Sequence, residues 1–541
     1  MDDASIFFVY AKNFAEGHGF VYNVGGERVE GFSSMLWTLV LAGIFTVTTE
    51  PKTLILFVNL ILGAVTLTCL ASFLRDFNGR QEGRSDPWFL DGCGFLLLAW
   101  SLCSPGFVIW TTITLMENGL WTMVAVLASL HMLQFAREEM PPLRTRVIFA
   151  VLLALVILCR PEGMLWAAVL GSGSFLARWL QGRVFAQSIK EVALPAAACL
   201  LTVAGLFAFR HWYFGYPFPN TYYAKVSPDR IYNLLEGAKY LVRFQLSHWL
   251  IPILYLTTFI AGCKLLVCVA RRFRPQDSPR RRVSTSDLQV GLLSLVLLVA
   301  GLIPVLVGGD HFVMFRFYQV TWPLLPLPLL ILAGPMVAER LKLSAPWRNL
   351  LPVLAVILFI FLSSDPWHRI GFGHRMHSEF KLVKRDLAVG NSLNQSFDEM
   401  DRPSIGVVAA GAIAFAYQGE VIDMMGLNNL EMAHSEGDRK GRKNHAAFNK
   451  EVLMRQRPHI LLPGLVDGID VLVEARRDQL ARHAASPGTD VLKGLCSEQR
   501  FLDLYQLGAM EVSGSKLLGG WFRKDYLETL EGRLFHPVLD P

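Results

Sequence analysis

Apolar runs long enough to cross or nearly cross a hydrocarbon layer of ~30 Å recur along the first two thirds of the chain. Ten stand out, at residues 54–74, 90–104, 119–136, 147–159, 163–177, 192–209, 249–270, 288–308, 318–338 and 349–363. Each predicts a membrane-spanning helix. Several fall short of the ~20 residues of a straight span, so flanking aromatics and snorkelling arginines are expected to extend them. The run 35–49 (MLWTLVLAGIFTVTT) reads instead as a helix lying on the outer membrane surface, held there by Trp37. After about residue 365 the pattern changes. A helical stretch near 377–400 precedes short apolar strands at 404–410, 420–426 and 459–464, which predicts a small α/β domain. The expected organisation is an outer-face segment with juxtamembrane helices (1–53), a polytopic α-helical transmembrane bundle (54–364) and an extracytoplasmic α/β domain (365–541).

Basic residues mark every second connection between these runs. They are Arg75, Arg80 and Arg84; Arg137, Arg144 and Arg146; Arg178, Arg183 and Lys190; the cluster from Arg271 to Arg282; and Arg340, Lys342 and Arg348. Cytoplasmic loops of inner-membrane proteins are enriched in such residues, so the intervening loops and everything after about residue 364 are expected on the far side. The connection 210–248 also carries Lys225, Arg230, Lys239 and Arg243, spread over a longer stretch. This orientation starts residues 1–53 outside, yet the chain opens MDDASIFF with no secretory signal. The expectation is that a first transmembrane helix, absent from this sequence, precedes Met1.

Composition narrows the class. With 52% hydrophobic and 18% charged residues over 541 positions, and a mean hydropathy of +0.38, the chain is not an ordinary soluble enzyme. Aromatics at 11% and the lack of a repeat exclude disordered and coiled-coil classes. A net charge of +6 is small for this length and does not point to nucleic acid. All cysteines but Cys496 lie in or beside apolar runs, with neither a disulfide framework nor metal-site spacing.

The polar residues of interest fall on the expected outer side. Asp2 and Asp3 precede a helical stretch, where they cap it, act as a general base on a hydroxyl, or help to hold a divalent cation such as Mg or Mn. The charges of Glu27-Arg28-Val29-Glu30 read as an exposed salt pair in a turn. Glu117 sits at the outer start of a span, where a charge must cap, pair or work. Arg160 and Glu162 read as an ion pair at the membrane face, with Pro161 opening the next helix. The segment 215–225 is rich in aromatics and holds Asn220, Tyr222 and Lys225, and 308–317 holds Asp310, His311 and Arg316. Cations for a lipid phosphate and carboxylates for sugar hydroxyls are what a lipid-linked sugar requires. Walker, Rossmann, zinc and nucleophile-elbow motifs are absent, which favours a lipid-borne donor. In the basic stretch 434–448, Arg442, Lys443 and His445 are either part of a solvated loop or contacts for an acceptor glycan.

The opening DDASIFFVYAKNFAEGHGFVYNVGGERVEGFSSMLWT, TLMENGLWT, RPEG, PNTYYAK, GGDHFVMFRF and DMMGLNN together resemble the GT-C glycosyltransferases, specifically mycobacterial terminal beta-arabinofuranosyltransferases. The resemblance implies an integral membrane enzyme with about eleven spans and a periplasmic C-terminal domain. It would move a sugar, a pentofuranose such as arabinofuranose, from a polyprenyl-phosphate donor to a cell-envelope glycan. In that pattern the paired aspartates follow the first span, matching Asp2 and Asp3. Two other classes compete. A lipid-linked-sugar flippase needs charges or helix breaks near the bilayer midplane and an internal repeat; an envelope-assembly scaffold needs no active site at all.

Overall fold

The computed structural model describes residues 1–79, 87–274, 283–332, 353–354, 357, 366–437, 439–441, 445–464, 469–471, 490–513, 516–530 and 534–538. The chain divides into two compact units, one of residues 1–51, 207–232 and 371–541, the other of 52–206 and 233–370.

The second unit is a helical bundle. Five helices of the chain are long and apolar enough to cross a membrane: Lys52–Phe77, Asn118–Arg137, Phe185–Phe214, Leu250–Arg272 and Thr285–Leu306. Gly94–Leu102 and Pro105–Ile113 make a sixth if their pair, bent by 69°, is counted as one span. This is a membrane protein. The apolar windows of Asn118–Arg137 and Thr285–Leu306 are 78% and 72% buried, whereas that of Leu250–Arg272 is only 22% buried. The first two are therefore interior helices and the third turns an apolar face outward, as a lipid-facing helix must. Gly291 lets Thr285–Leu306 approach Leu250–Arg272: a Cβ there would lie 2.9 Å from the backbone nitrogen of Leu265.

The remaining predicted spans fare differently. The runs 147–159 and 163–177 form helices Leu143–Cys159 and Gly163–Leu180. The run 318–338 does not begin as a helix: a 3-10 turn at Arg316–Tyr318 and consecutive turns through residue 326 precede a helix that starts at 327. Pro323, Pro326 and Pro328 explain this, since each lacks a backbone N–H and blocks the preceding helical turn. Most of 349–363 lies outside the described residues. Lys264, a charge within a span, pairs with Asp287.

In the first unit, helix Asp2–Ala15 is buried on nearly every side from Ala4 to Ala11, and it packs on helices Met35–Phe45 and Ala412–Ala416. Trp37, expected to hold helix Met35–Phe45 on the membrane surface, is instead fully buried, a core residue rather than an anchor. Helix Pro366–Ser396 leads into a sheet of β1 (Ile405–Val407), β2 (Val421–Asp423), β3 (Ile460–Leu462), β4 (Ile469–Val471), β5 (Tyr505–Val512), β6 (Lys516–Arg523) and β7 (Phe535–Pro537). The order is β2-β1-β3-β6-β5-β7, with β4 also on β6. The β2-β1-β3 part is parallel, and every pairing of β6 and β7 is antiparallel. Met424, Met432, Phe448, Leu461, Phe501 and Trp521 belong to its core.

Candidate functional site

The bundle gathers three of the sequence motifs into one ionic cluster. Glu117, at the start of helix Asn118–Arg137, has no solvent exposure and bonds Arg160 through one carboxylate oxygen. Arg160 is 7% exposed and also donates from Nε to Glu162 Oε1 at 2.6 Å. Arg316 is 5% exposed and donates from Nε to Asp310 Oδ2 at 2.8 Å, while Asp310 Oδ1 takes the backbone N–H of His311 at 2.9 Å. Both guanidiniums lie 5.4 Å from the ring of Phe317, and Arg316 also covers Phe312 and Trp110. Two buried arginines thus flank one aromatic ring, each held by carboxylates that desolvation makes costly to leave unpaired. The second oxygen of Glu117, Oε2, is buried with no hydrogen-bond partner among the described residues.

The backbone leading into this cluster is strained on both sides. Leu115, two residues before Glu117, has φ of 60°, and Met314 and Phe315, just before Arg316, have φ of 60° and 50°. Side chains larger than glycine rarely adopt such angles, at ~1–3 kcal/mol each, and they persist where the fold over-determines a site. Gly308 and Gly309 turn the chain toward Asp310 with φ of 82° and 71°.

The first unit gathers the other three motifs. Asp2 is buried, and its carboxylate accepts the backbone N–H groups of Gly411 at 3.1 Å and Ala412 at 2.7 Å. It caps the neighbouring helix Ala412–Ala416, not its own, for which no side-chain cap forms. Gly411 is required, because a Cβ there would sit 2.0 Å from the carbonyl oxygen of Asp2. Burial raises the Asp2 carboxyl above its ordinary range, against the pull of the Ala412 N–H. Asp3 is half-buried beside it. Tyr10 accepts the Gly31 N–H and donates to Asn428, and Tyr22 donates to the carbonyl of Ala410. Asn220 donates to the carbonyls of Gly426 and Leu427 at 2.7 and 3.1 Å. Asp423 accepts from the N–H groups of Met425 and Asn428, both at 2.8 Å, and burial pushes it up to about 6.

Several expectations change here. Glu30 is not in an exposed pair with Arg28: it is buried, bidentate to Arg210, and raised by burial to about 7. Arg28 lies over the ring of Tyr213. Tyr222 is exposed against Phe218 and Tyr223, and Lys225 is half-buried at the end of helix Asn220–Lys225. His445 is half-buried, while Arg442 and Lys443 lie outside the described residues. Among the described residues no three His, Cys, Asp or Glu side chains gather to hold a metal ion. The cation suggested for Asp2 and Asp3 thus lacks a donor set among the described residues, and Asp2 already serves two backbone N–H groups.

Asp386 was not anticipated. It sits on helix Pro366–Ser396, is 3% exposed, bonds the Arg385 guanidinium and is pushed by burial up to about 7. Its signal was available, because Asp386 interrupts the apolar stripe of Leu382, Val389 and Leu393 at helical spacing. Residues 375–515, which include Asp386 and Asp423, match a family described as Domain of unknown function (DUF8728). No curated protein and no solved structure matches the chain.

Proposed function

We propose that this chain is a membrane glycosyltransferase of the GT-C kind, moving a sugar from a polyprenyl-phosphate donor to a cell-envelope glycan at the outer face of the inner membrane. The sugar is a pentofuranose such as arabinofuranose, on the strength of the sequence resemblance. The observation that carries the reading is the pair of buried arginines, Arg160 and Arg316, held by Glu117, Glu162 and Asp310 around Phe317. A phosphate can replace a carboxylate as the partner of such a guanidinium without leaving a buried charge unpaired. The strained backbone on both sides supports a functional rather than a packing role.

In the reaction, an acceptor hydroxyl attacks the anomeric carbon. The bond from that carbon to the phosphate oxygen breaks, and the polyprenyl phosphate leaves with the electron pair. The hydroxyl proton passes to a carboxylate late in bond formation, a contribution of ~10²–10⁴ in rate. Asp3 and Glu117 are the two candidates: Asp2 is held as a helix cap, whereas Glu117 keeps one oxygen unbonded among the described residues. The charge alternation supports the C-terminal domain being extracytoplasmic.

A flippase reading has one observation in its favour: the bent pair Gly94–Leu102 and Pro105–Ile113 runs up to Trp110, beneath Arg316, as discontinuous helices do at carrier sites. Full-length protein in proteoliposomes with a synthetic polyprenyl-phosphate sugar separates the readings. Product glycan is expected, with Arg316→Ala weakening donor binding at least ~tenfold and acceptor binding little. Of Asp3→Asn and Glu117→Gln, one that folds and binds donor should lose turnover, whereas Asp2→Asn, which can still cap a helix, should keep it. Lys225→Ala tests that residue as a further phosphate contact. Movement of the lipid-linked sugar between leaflets without any product would overturn the enzyme reading.

A further inference from the structure

We propose that Asp386 anchors a pocket for one hydroxyl-bearing arm of a neutral sugar or polyol, at the carboxyl ends of β1 and β3. Two independent observations meet there. The chain passes from β1 to β2 on one side and then to β3 on the other, so the connections diverge between β1 and β3. In parallel sheets the crevice at such a divergence, outside the carboxyl ends of the strands, is where ligands bind. The pocket lies in that place, lined by Val407 and Ala409 from the end of β1, Leu462 and Gly464 from the end of β3, and Arg385 and Asp386 from the helix.

The second observation is the state of Asp386. Its Oδ1 takes the Arg385 Nε at 2.7 Å, while Oδ2 is buried with no hydrogen-bond partner among the described residues. A buried acceptor left unbonded needs a donor, and the walls of Val407 and Leu462 supply none. An uncharged donor fits, because Arg385 already pairs with the carboxylate. An anion would meet a carboxylate oxygen. The cavity of about 20 Å³ holds one water-sized group, so it admits a hydroxyl or hydroxymethyl arm and leaves the ring outside. As a hold on the acceptor glycan this site rests on the transferase reading; the binding itself does not.

Saturation-transfer NMR on the detergent-solubilised full chain, without donor lipid, tests it with methyl arabinofuranoside, methyl mannopyranoside and glycerol as probes. The wild type should saturate the hydroxymethyl protons of at least one probe. Asp386→Asn should weaken that binding at least ~tenfold, because the amide must turn its oxygen to Arg385 and present an NH₂ to the pocket. Ala409→Leu fills the cavity without touching Asp386 and should act alike, deciding the matter if Asp386→Asn fails to fold. No saturation with any probe, wild-type affinity in Ala409→Leu or in a folded Asp386→Asn, or Mg²⁺ binding lost on Asp386→Asn in place of sugar binding would overturn the proposal. Sugar binding without glycosyl transfer would sink the transferase reading alone; transfer without sugar binding would sink only the pocket.

Discussion

Three buried carboxylates weigh on the pH response of the first unit, against His434 and His459, whose pKa values burial lowers. Burial holds Asp386 and Glu30 at about 7 and Asp423 at about 6. Their ordinary range is near 4, so from about pH 4 to 7 the folded chain keeps protons that the unfolded chain has released. The stability they contribute is whole on the acid side and is lost as pH rises through 6 to 7. The apparent Tm of the solubilised protein should therefore fall between pH 5 and pH 8, and Asp386→Asn should flatten part of that fall. Parallel Tm profiles of the wild type and a folded Asp386→Asn over this range would mean that Asp386 ionises normally. The cost of keeping Asp386 buried with one oxygen unbonded is also why this residue, and not a leucine on the same stripe, calls for a ligand.

At the scale of elements, glycine and proline decide what the apolar pattern leaves open. Gly291 permits the close crossing of Thr285–Leu306 and Leu250–Arg272, with the Leu265 backbone where a side chain would go. Gly291→Leu should cost about 1–3 kcal/mol through overpacking, and Gly171→Leu, at a position with nothing within 4 Å of a Cβ, should cost much less. Thermal unfolding in detergent, followed by intrinsic fluorescence, compares the two; equal losses would show that the crossing is not tight. Proline acts in the opposite sense. Ser104 accepts the Phe107 N–H and Pro105 opens the second limb of the bent pair, while Pro323, Pro326 and Pro328 break up the start of the run at 318.

Over the whole molecule, the six motifs sort three and three. TLMENGLWT, RPEG and GGDHFVMFRF meet in the helical unit, through Glu117, Arg160 and Arg316. The opening segment, PNTYYAK and DMMGLNN meet in the other, through Tyr10, Asn220 and Asn428. Orientation is the property of the whole chain that charge placement addresses. Met400 is 94% exposed in the expected extracytoplasmic part, and Val184 is 69% exposed in a basic connection. In intact cells, Met400→Cys should react with a membrane-impermeant maleimide above the background of the native cysteines, and Val184→Cys should react only after lysis. The reverse pattern would invert the topology.

Periodicity alone was enough for the membrane class, for the helices around 54–74, 119–136, 249–270 and 288–308, and for the strands near 405, 421 and 460, because burial of apolar side chains acts locally on period and length. The ion pair of Arg160 with Glu162 was legible too, two residues apart beside a candidate role in substrate binding. What the fold decided were the pairings between distant residues. Asp2 caps a helix 410 positions away, Glu30 finds Arg210, Glu117 finds Arg160, and Trp37 turns inward. None of these has a local signature, since desolvation forces each buried charge to take whichever partner the packing brings within reach. Asp386 belongs with them: one polar residue on an apolar stripe is visible in the chain, but only the order of the strands reveals that it stands where a parallel sheet opens a crevice.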